Sequence, residues 1–157
     1  MKLILITGPA GAGKSTRARE LMEERGIRYN FEADQWMKDE QGNYNFDPKK
    51  LYFCHKKCQD YAESAMRLKQ DLIISNTTLT KKEARPYIEL AKAYNYEVEI
   101  IHLTTQFQNL HGVPEEKVKQ MQNKREFFKL EDFARNLKIC YKKFLTQISS
   151  LLLKWLV

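Results

Sequence analysis

A glycine-rich stretch near the amino terminus constrains this chain of 157 residues more than any other feature. Residues 8–15 read Gly-Pro-Ala-Gly-Ala-Gly-Lys-Ser, after an apolar run at residues 3–6 and before a segment with helical periodicity. This matches the pattern G-x-x-x-x-G-K-[ST], in which backbone amides at a helix start converge on phosphate groups. The sequence therefore predicts a phosphate loop inside an α/β fold.

The residues of this loop have different expected roles. The nucleotide would be bound by Gly8, Ala10, Gly11, Ala12, Gly13, Lys14, Ser15 and Thr16. Lys14 is expected to reach the β and γ phosphates, and the Ser15 hydroxyl to coordinate Mg²⁺. Thr16 is expected to donate a hydrogen bond to the α phosphate. The loop thus predicts binding of ATP or GTP with Mg²⁺, but it does not identify a reaction, since several classes of protein share it.

Apolar runs that alternate with helix-period segments organise the rest of the chain. Strands are predicted at residues 3–6, 28–31, 72–75 and 98–103. Helices are predicted at residues 15–24, from Asp47 and Pro48 to about residue 68, from Thr80 to residue 94, and from Pro114 to near residue 125. This alternation predicts a P-loop NTPase fold with a central parallel sheet of four to five strands, helices on both faces, and the first and third strands in the middle.

The carboxyl end has an amphipathic pattern of its own. From residue 130 to 157, apolar residues recur at intervals of three and four positions, which predicts a long helix. We expect a single domain over residues 1–157, with a core at 1–128, a helical lid near 105–125 and this helix at 129–157. The helix could pack on the core, or it could form an interface with a second copy of the chain or a partner protein.

Charge and composition indicate the setting. The net charge is +7 and the isoelectric point is near 9.2, which suits an anionic partner. No apolar run approaches the roughly 18 residues that a membrane span requires. Cys54, Cys58 and Cys140 are an odd and scattered set, which argues against a disulfide framework. We expect a soluble cytoplasmic protein that does not contact a membrane.

Further segments complete a resemblance to a known family. They are Phe31-Glu32-Ala33-Asp34, Ile73-Ile74-Ser75-Asn76-Thr77-Thr78, His111-Gly112-Val113-Pro114, Met121, and Lys124-Arg125-Glu126. Together with the phosphate loop, and in this order and spacing, they are similar to the 5′-polynucleotide kinase family, meaning the kinase domain of bacteriophage polynucleotide kinase and its P-loop relatives. The resemblance covers about residues 2–128. It implies transfer of the γ-phosphate of a nucleoside triphosphate to the 5′-hydroxyl end of DNA or RNA.

The resemblance also implies roles for individual residues. Asp34, after the second strand, would be the general base that accepts the proton of the attacking hydroxyl. Asn76 stands where the family usually has Asp, and is expected to hold a water of the Mg²⁺ shell. Gln108-Asn109 replaces the Arg-Asn pair of the relatives' lid, so Lys124 and Arg125 are expected to supply the missing positive charge.

Acceptor recognition would fall to residues 35–46 and the helix after them. Lys38, Lys49, Lys50, Lys56 and Lys57 are placed to meet backbone phosphates, while Trp36, Tyr44 and Phe46 either stack on terminal bases or belong to the core. The expected partner is single-stranded or end-exposed nucleic acid with a 5′-hydroxyl. Two other functions stay open: a small-molecule P-loop kinase acting on a nucleoside, sugar or antibiotic, and a non-catalytic nucleotide-binding module.

Overall fold

The computed structural model describes residues 1–105 and 113–133, in which four parallel strands form one sheet. The strands are β1 (Lys2–Thr7), β2 (Tyr29–Phe31), β3 (Leu72–Ile74) and β4 (Glu97–His102), in the order β2-β3-β1-β4. β1 pairs with β3 from Leu3 opposite Leu72 to Leu5 opposite Ile74. The predicted parallel sheet, with the first and third strands in the middle, is confirmed.

The helices are α1 (Lys14–Arg25), α2 (Leu51–Arg67), α3 (Lys81–Ala93) and α4 (Glu115–Lys124). At the start of α3, Thr80 Oγ1 accepts a hydrogen bond from the Glu83 amide and the Glu83 carboxylate accepts one from the Thr80 amide, as a capping box. Asp47 caps a short 3₁₀ turn, Pro48–Lys50, and α2 follows it. The predicted helix therefore begins as a 3₁₀ turn before it continues as an α-helix.

A second 3₁₀ turn, Ala33–Trp36, follows β2 and was not predicted. We call it the Asp34 turn, because it determines where that carboxylate lies. We identified no local sequence pattern that predicts this turn. Its first residue, Ala33, is buried. The turn is held by contacts with α2 and with the end of β3, described below.

Apolar side chains cover both faces of the sheet. Ile4 and Ile6 of β1 pack with Ala18 and Leu21 of α1. Leu3 and Leu5 point to the opposite face, because successive strand residues alternate, and they are also fully buried. The sheet is thus sandwiched between helices, and its carboxyl edge is the place where polar groups can gather.

The chain divides into two compact units, Met1–Phe127 and Phe128–Val157. Of the second unit the structure describes residues 128–133, where the rings of Phe128 and Phe133 meet edge to face at 5.6 Å. The rest of the predicted carboxyl-terminal helix and its interface lie outside the described residues, as do residues 106–112 of the predicted lid, with Gln108-Asn109. Single-domain organisation stays a prediction. Within the described ranges, no helix is both long and apolar enough to cross a bilayer.

Candidate active site

The phosphate loop connects the end of β1 to the start of α1. Thr7 is buried, and a hydrogen bond of 2.6 Å joins its Oγ1 to Nδ1 of His102, so the ends of β1 and β4 are tied together below the loop. A Cβ at Gly8 would lie 3.0 Å from Ala12 Cβ and 3.1 Å from the Leu103 carbonyl oxygen, both closer than ordinary van der Waals contact, so glycine is favoured there. Gly13 caps α1 with a φ of 83°, in the left-handed region that favours glycine.

The amino end of α1 is suited to an anion. No side chain caps it, and its first turn contains no acidic residue. The free amides and the helix dipole therefore present partial positive charge where the loop ends. The predicted nucleotide-binding residues from Gly8 to Thr16 are brought together here, with Ala12 buried and Ser15 and Thr16 exposed.

Lys14 extends back over the loop and faces two carboxylates. Its Nζ donates a hydrogen bond to the Pro9 carbonyl oxygen at 2.8 Å. Burial lowers the pKa of Lys14 to about 8, and the charges of Asp34 and Glu32 act against that shift. Both carboxylates thus lie within electrostatic reach of the ammonium group.

Glu32 is held by side chains from three elements. Its Oε2 accepts a hydrogen bond from Ser15 Oγ at 2.9 Å, and its Oε1 accepts from Asn30 Nδ2 at 2.7 Å and Ser75 Oγ at 2.8 Å. A serine hydroxyl beside a carboxylate is the kind of oxygen donor set that Mg²⁺ prefers. Sequence reasoning missed Glu32 as a site residue; its one signal is its position as an acid directly after β2.

Asn76 holds the Asp34 turn in place. Its side chain is 4% exposed; Oδ1 accepts a hydrogen bond from the Ala33 amide at 2.6 Å, and Nδ2 donates one to the Tyr87 hydroxyl at 3.0 Å. Both ends of the amide are therefore engaged within the protein. These contacts give Asn76 a positioning role, and its expected role in the Mg²⁺ shell stays a prediction.

Asp34 is oriented by a tyrosine from the following hairpin. The Tyr44 hydroxyl hydrogen-bonds to the Asp34 carboxylate, and burial together with that carboxylate raises the pKa of Tyr44. Tyr44 reaches this position because residues 37–45 fold back, with Lys38 and Tyr44 paired as an antiparallel bridge. Stacking of the Tyr44 ring on a base stays a prediction, and the contact of its hydroxyl with the expected general base was not predicted.

The two predicted lid cations differ in their surroundings. Lys124 Nζ lies 2.9 Å from Glu83 Oε1, so it forms an ion pair with the residue that caps α3. The Arg125 guanidinium lies 4.3 Å from the Phe127 ring centroid, and burial lowers the pKa of Arg125. Its Nε and one terminal nitrogen, NH2, are buried and have no hydrogen-bond partner among the described residues.

A short series of contacts links Arg125 to the phosphate loop. The Phe127 ring, which Arg125 covers, also packs against the His102 ring with centroids 5.4 Å apart. His102 in turn bonds to Thr7 directly before the loop. Arg125 thus lies on the same edge of the sheet as Lys14 and retains hydrogen-bond donors that a phosphate could use.

The expected acceptor residues are spread around the Asp34 turn. Trp36 stacks on Tyr61 of α2, with centroids 5.4 Å apart and an interplanar angle of 27°, whereas Phe46 is 53% exposed. Lys56 pairs with Asp60 over 2.9 Å. Lys38, Lys49 and Lys50 are exposed at the surface, and Lys57 lies beside aromatic rings of α2.

Comparison with known proteins places these features in a family. Residues 3–135 match the model of the family AAA_33, described as AAA domain. NEDD4-binding protein 2 of Homo sapiens is 33% identical over 76% of this chain, and the matched region spans about 7% of that longer protein.

Two solved structures are similar in fold. One is a chain of the Pnkp1/Rnl/Hen1 RNA repair complex, with 16% identity and a TM-score of 0.54 over 90% of this chain and 45% of that one. Another is a gluconokinase from Sinorhizobium meliloti 1021, with 13% identity and a TM-score of 0.55 over 93% of this chain and 97% of that one. The matched region, the phosphate loop between β1 and α1, and the parallel sheet show that this chain belongs to the AAA_33 family and has a P-loop kinase fold.

Proposed function

We propose that this domain transfers the γ-phosphate of ATP or GTP to the 5′-hydroxyl end of single-stranded or end-exposed DNA or RNA. The observation that supports this most directly is the proximity of Asp34 to Lys14. The charge of Asp34 acts on the Lys14 ammonium group, so a carboxylate that can accept a proton lies within electrostatic reach of the residue expected to touch the transferring phosphate. A kinase needs these two groups on opposite sides of the reacting bond.

Lys14, Asp34 and Tyr44 each have a separate role in the proposed reaction. Lys14 leaves the Pro9 carbonyl and, with the amides of α1, binds the triphosphate. Asp34 accepts the proton of the 5′-hydroxyl as the hydroxyl oxygen forms its bond to the γ-phosphorus and the bond to the bridging oxygen breaks, which releases the nucleoside diphosphate. Tyr44 keeps the Asp34 carboxylate oriented toward the acceptor.

Mg²⁺ would be held where the phosphate loop meets the end of β2. The Ser15 hydroxyl is the candidate for direct coordination of the ion. Glu32, which is hydrogen-bonded to that hydroxyl, takes the supporting role that the sequence had indicated for Asn76. The donor set fits, because both groups offer oxygen and Glu32 supplies a negative charge that Asn76 cannot. Bound there, the ion neutralises charge on the phosphate oxygens during transfer.

Positive charge at the transferring phosphate would come from Arg125. Its buried nitrogens lack partners within the described ranges, whereas Lys124 is already paired with Glu83. Two buried guanidinium nitrogens without a hydrogen-bond acceptor are costly, and a phosphate would offset that cost. We therefore assign the catalytic role to Arg125 and a structural role to Lys124.

A polynucleotide acceptor is supported by charge and by fold. The chain has a net charge of +7, and exposed lysines and aromatic residues surround the Asp34 turn. The fold is shared with a chain of an RNA repair complex, although it is also shared with a gluconokinase. Fold alone does not separate these acceptors, so the acceptor must be tested directly.

An acceptor panel tests this proposal. Purified protein is incubated with γ-labelled ATP or GTP, Mg²⁺ and one acceptor at a time: a 5′-hydroxyl oligonucleotide, the same oligonucleotide with a 5′-phosphate, a nucleoside, or gluconate. We expect label on the 5′-hydroxyl oligonucleotide alone, and none with Lys14→Ala. Label on a small acceptor but not on the oligonucleotide would indicate a small-molecule kinase. Nucleotide binding without transfer to any acceptor would indicate a non-catalytic module.

A further inference from the structure

One face of α2 presents aromatic rings at the spacing of a helical stripe. Phe53, Lys57 and Tyr61 lie four residues apart, so they project from the same side of the helix. The Lys57 ammonium lies 5.4 Å from the Phe53 ring centroid and 6.0 Å from that of Tyr61. Phe53 is 55% exposed and Tyr61 is 47% exposed, so the rings remain open to solvent.

The row of rings continues past α2 toward the edge of the sheet. Tyr61 stacks on Trp36 and packs against Phe31 with centroids 5.9 Å apart, and Phe31 is followed by Tyr29 at 6.2 Å. We call the series Phe53, Lys57, Tyr61, Trp36, Phe31 and Tyr29 the aromatic stripe. It borders the active site, because Trp36 belongs to the Asp34 turn.

The beginning of α2 is also close to the proposed base. The charge of Asp34 acts on both Cys54 and His55, in the first turns of that helix. Phe53 and Tyr61 are separated by about 12 Å along the helix axis. In the stacked geometry of duplex DNA one strand advances about 3.4 Å per nucleotide, so in that geometry this distance corresponds to about three or four nucleotides.

The chemistry of the stripe fits a nucleic-acid strand better than a protein surface. Aromatic rings stack on bases of any sequence, and an interleaved ammonium group can meet the backbone phosphates. The buried centres of protein interfaces, in contrast, are depleted of lysine, and here Lys57 sits in the middle of the row. Within the described ranges, Lys57, Lys49 and Lys50 form no ion pair, so their charge is not neutralised locally.

We infer that the aromatic stripe binds the single-stranded nucleotides that follow the 5′-terminal one, with their bases stacked on Phe53 and Tyr61 and a backbone phosphate at Lys57. This inference rests on the proposed function, since it names the site for the body of that acceptor. Lys56 is left out of it, because Asp60 already neutralises its charge. The contact is sequence-tolerant, so the stripe would hold strands without reading bases.

A binding assay without nucleoside triphosphate tests the stripe separately from the reaction. The anisotropy of a 3′-labelled single-stranded oligothymidylate is compared with that of an abasic strand of equal length and charge. Phe53→Ala should weaken binding of the base-containing strand about tenfold and leave the abasic strand unchanged. Tyr52→Ala is the matched control, because Tyr52 directly precedes Phe53 in α2 and its ring is 82% exposed but is not part of the stripe. It should change neither affinity by more than about twofold.

Lys57 gives a second, independent readout. Lys57→Ala should reduce the slope of log affinity against log salt by about 0.7, the value for one phosphate contact on a single strand. Equal affinities for the Phe53 and Tyr52 variants, or an unchanged salt slope, would overturn the inference. So would a Phe53→Ala protein that binds the oligonucleotide normally but loses self-association or thermal stability, because protein would then cover the stripe.

The outcomes also separate this inference from the proposed function. If the wild type binds strands through Phe53 but labels no 5′-hydroxyl, strand binding at the aromatic stripe is supported and the proposed reaction is contradicted. If the wild type labels 5′-hydroxyl ends and Phe53→Ala keeps full strand affinity, the proposed reaction is supported and strand binding at the aromatic stripe is contradicted.

Discussion

The hydroxyl of Ser15 donates a hydrogen bond to Glu32 Oε2 over 2.9 Å, joining the first turn of α1 to the end of β2. This contact brings a carboxylate to the residue that we propose coordinates Mg²⁺. It also explains how the site can work with an uncharged Asn76 after β3. The negative charge comes from β2, while Asn76 secures the backbone that carries Asp34.

Glu32→Gln tests this assignment. The substitution keeps the shape of the side chain and removes its charge, so nucleotide binding should weaken about 10- to 100-fold with Mg²⁺ present. Without Mg²⁺ this loss should disappear, because removing a carboxylate beside the triphosphate does not by itself weaken binding of an anion. Calorimetric titrations with Mg²⁺ and with EDTA measure both values, and Thr77→Ala provides a nearby control. An equal loss under both conditions would contradict a metal-linked role.

Asn76→Ala tests the positioning role. It leaves the Ala33 amide and the Tyr87 hydroxyl without their partner, and each buried unsatisfied group costs about 1 to 3 kcal/mol. We expect a loss of unfolding free energy in that range or above, measured by urea denaturation. Asn123→Ala, at an exposed position of α4, should change stability by less than about 0.5 kcal/mol. Equal stabilities would show that Asn76 does not hold the turn.

Lys14 makes nucleotide binding depend on pH. Because burial lowers the pKa of Lys14 to about 8, part of the free protein has a neutral amine at pH 8. A bound triphosphate favours the charged form and raises that pKa, so binding takes up protons and affinity falls as pH rises above 8. Calorimetry in two buffers of different ionisation enthalpy measures the uptake. The uptake should disappear in Lys14→Arg, and a buffer-independent enthalpy at pH 8 in the wild type would refute it.

Tyr44→Phe tests the orientation of the base. The variant keeps the ring and removes the hydrogen bond to the Asp34 carboxylate, so turnover should fall about tenfold while KM for the nucleotide stays unchanged. Steady-state kinetics separate the two constants. Tyr52→Phe, which removes an exposed hydroxyl elsewhere, should behave as the wild type. A change in nucleotide KM without a change in turnover would place Tyr44 in the nucleotide site.

Substituting Arg125 should slow phosphate transfer, whereas substituting its neighbour Lys124 should have little effect. Arg125→Ala should slow single-turnover transfer by about 100-fold or more, because it removes charge stabilisation at the transferring phosphate. Lys124→Ala removes an exposed ion pair, and transfer should change by less than about threefold. Rapid-quench measurements compare the two. The reverse ranking would assign the catalytic cation to Lys124.

The parts of this fold that were predictable have local signals. The phosphate loop is one contiguous pattern, β3 is a short apolar run, and Thr80 and Glu83 form a capping box three residues apart. The contact of Glu32 with the phosphate loop and the support that Asn76 gives to the Asp34 turn were not predicted, because both depend on contacts between positions that are distant in the sequence. Ser15 and Glu32 are 17 residues apart, and Ala33 and Asn76 are 43 apart. The contact of Tyr44 with Asp34 was not predicted for a similar reason, since it depends on a hairpin that returns Tyr44 to Asp34.

We propose that Asp34 activates a 5′-hydroxyl for attack on a triphosphate held by the loop. It is tested most directly by single-turnover transfer of labelled γ-phosphate to a 5′-hydroxyl oligonucleotide, comparing the wild type with Asp34→Asn. We predict that the variant binds nucleotide as tightly as the wild type and transfers phosphate at least about 100-fold more slowly. Transfer at the wild-type rate by Asp34→Asn would contradict the assignment of Asp34 as the general base.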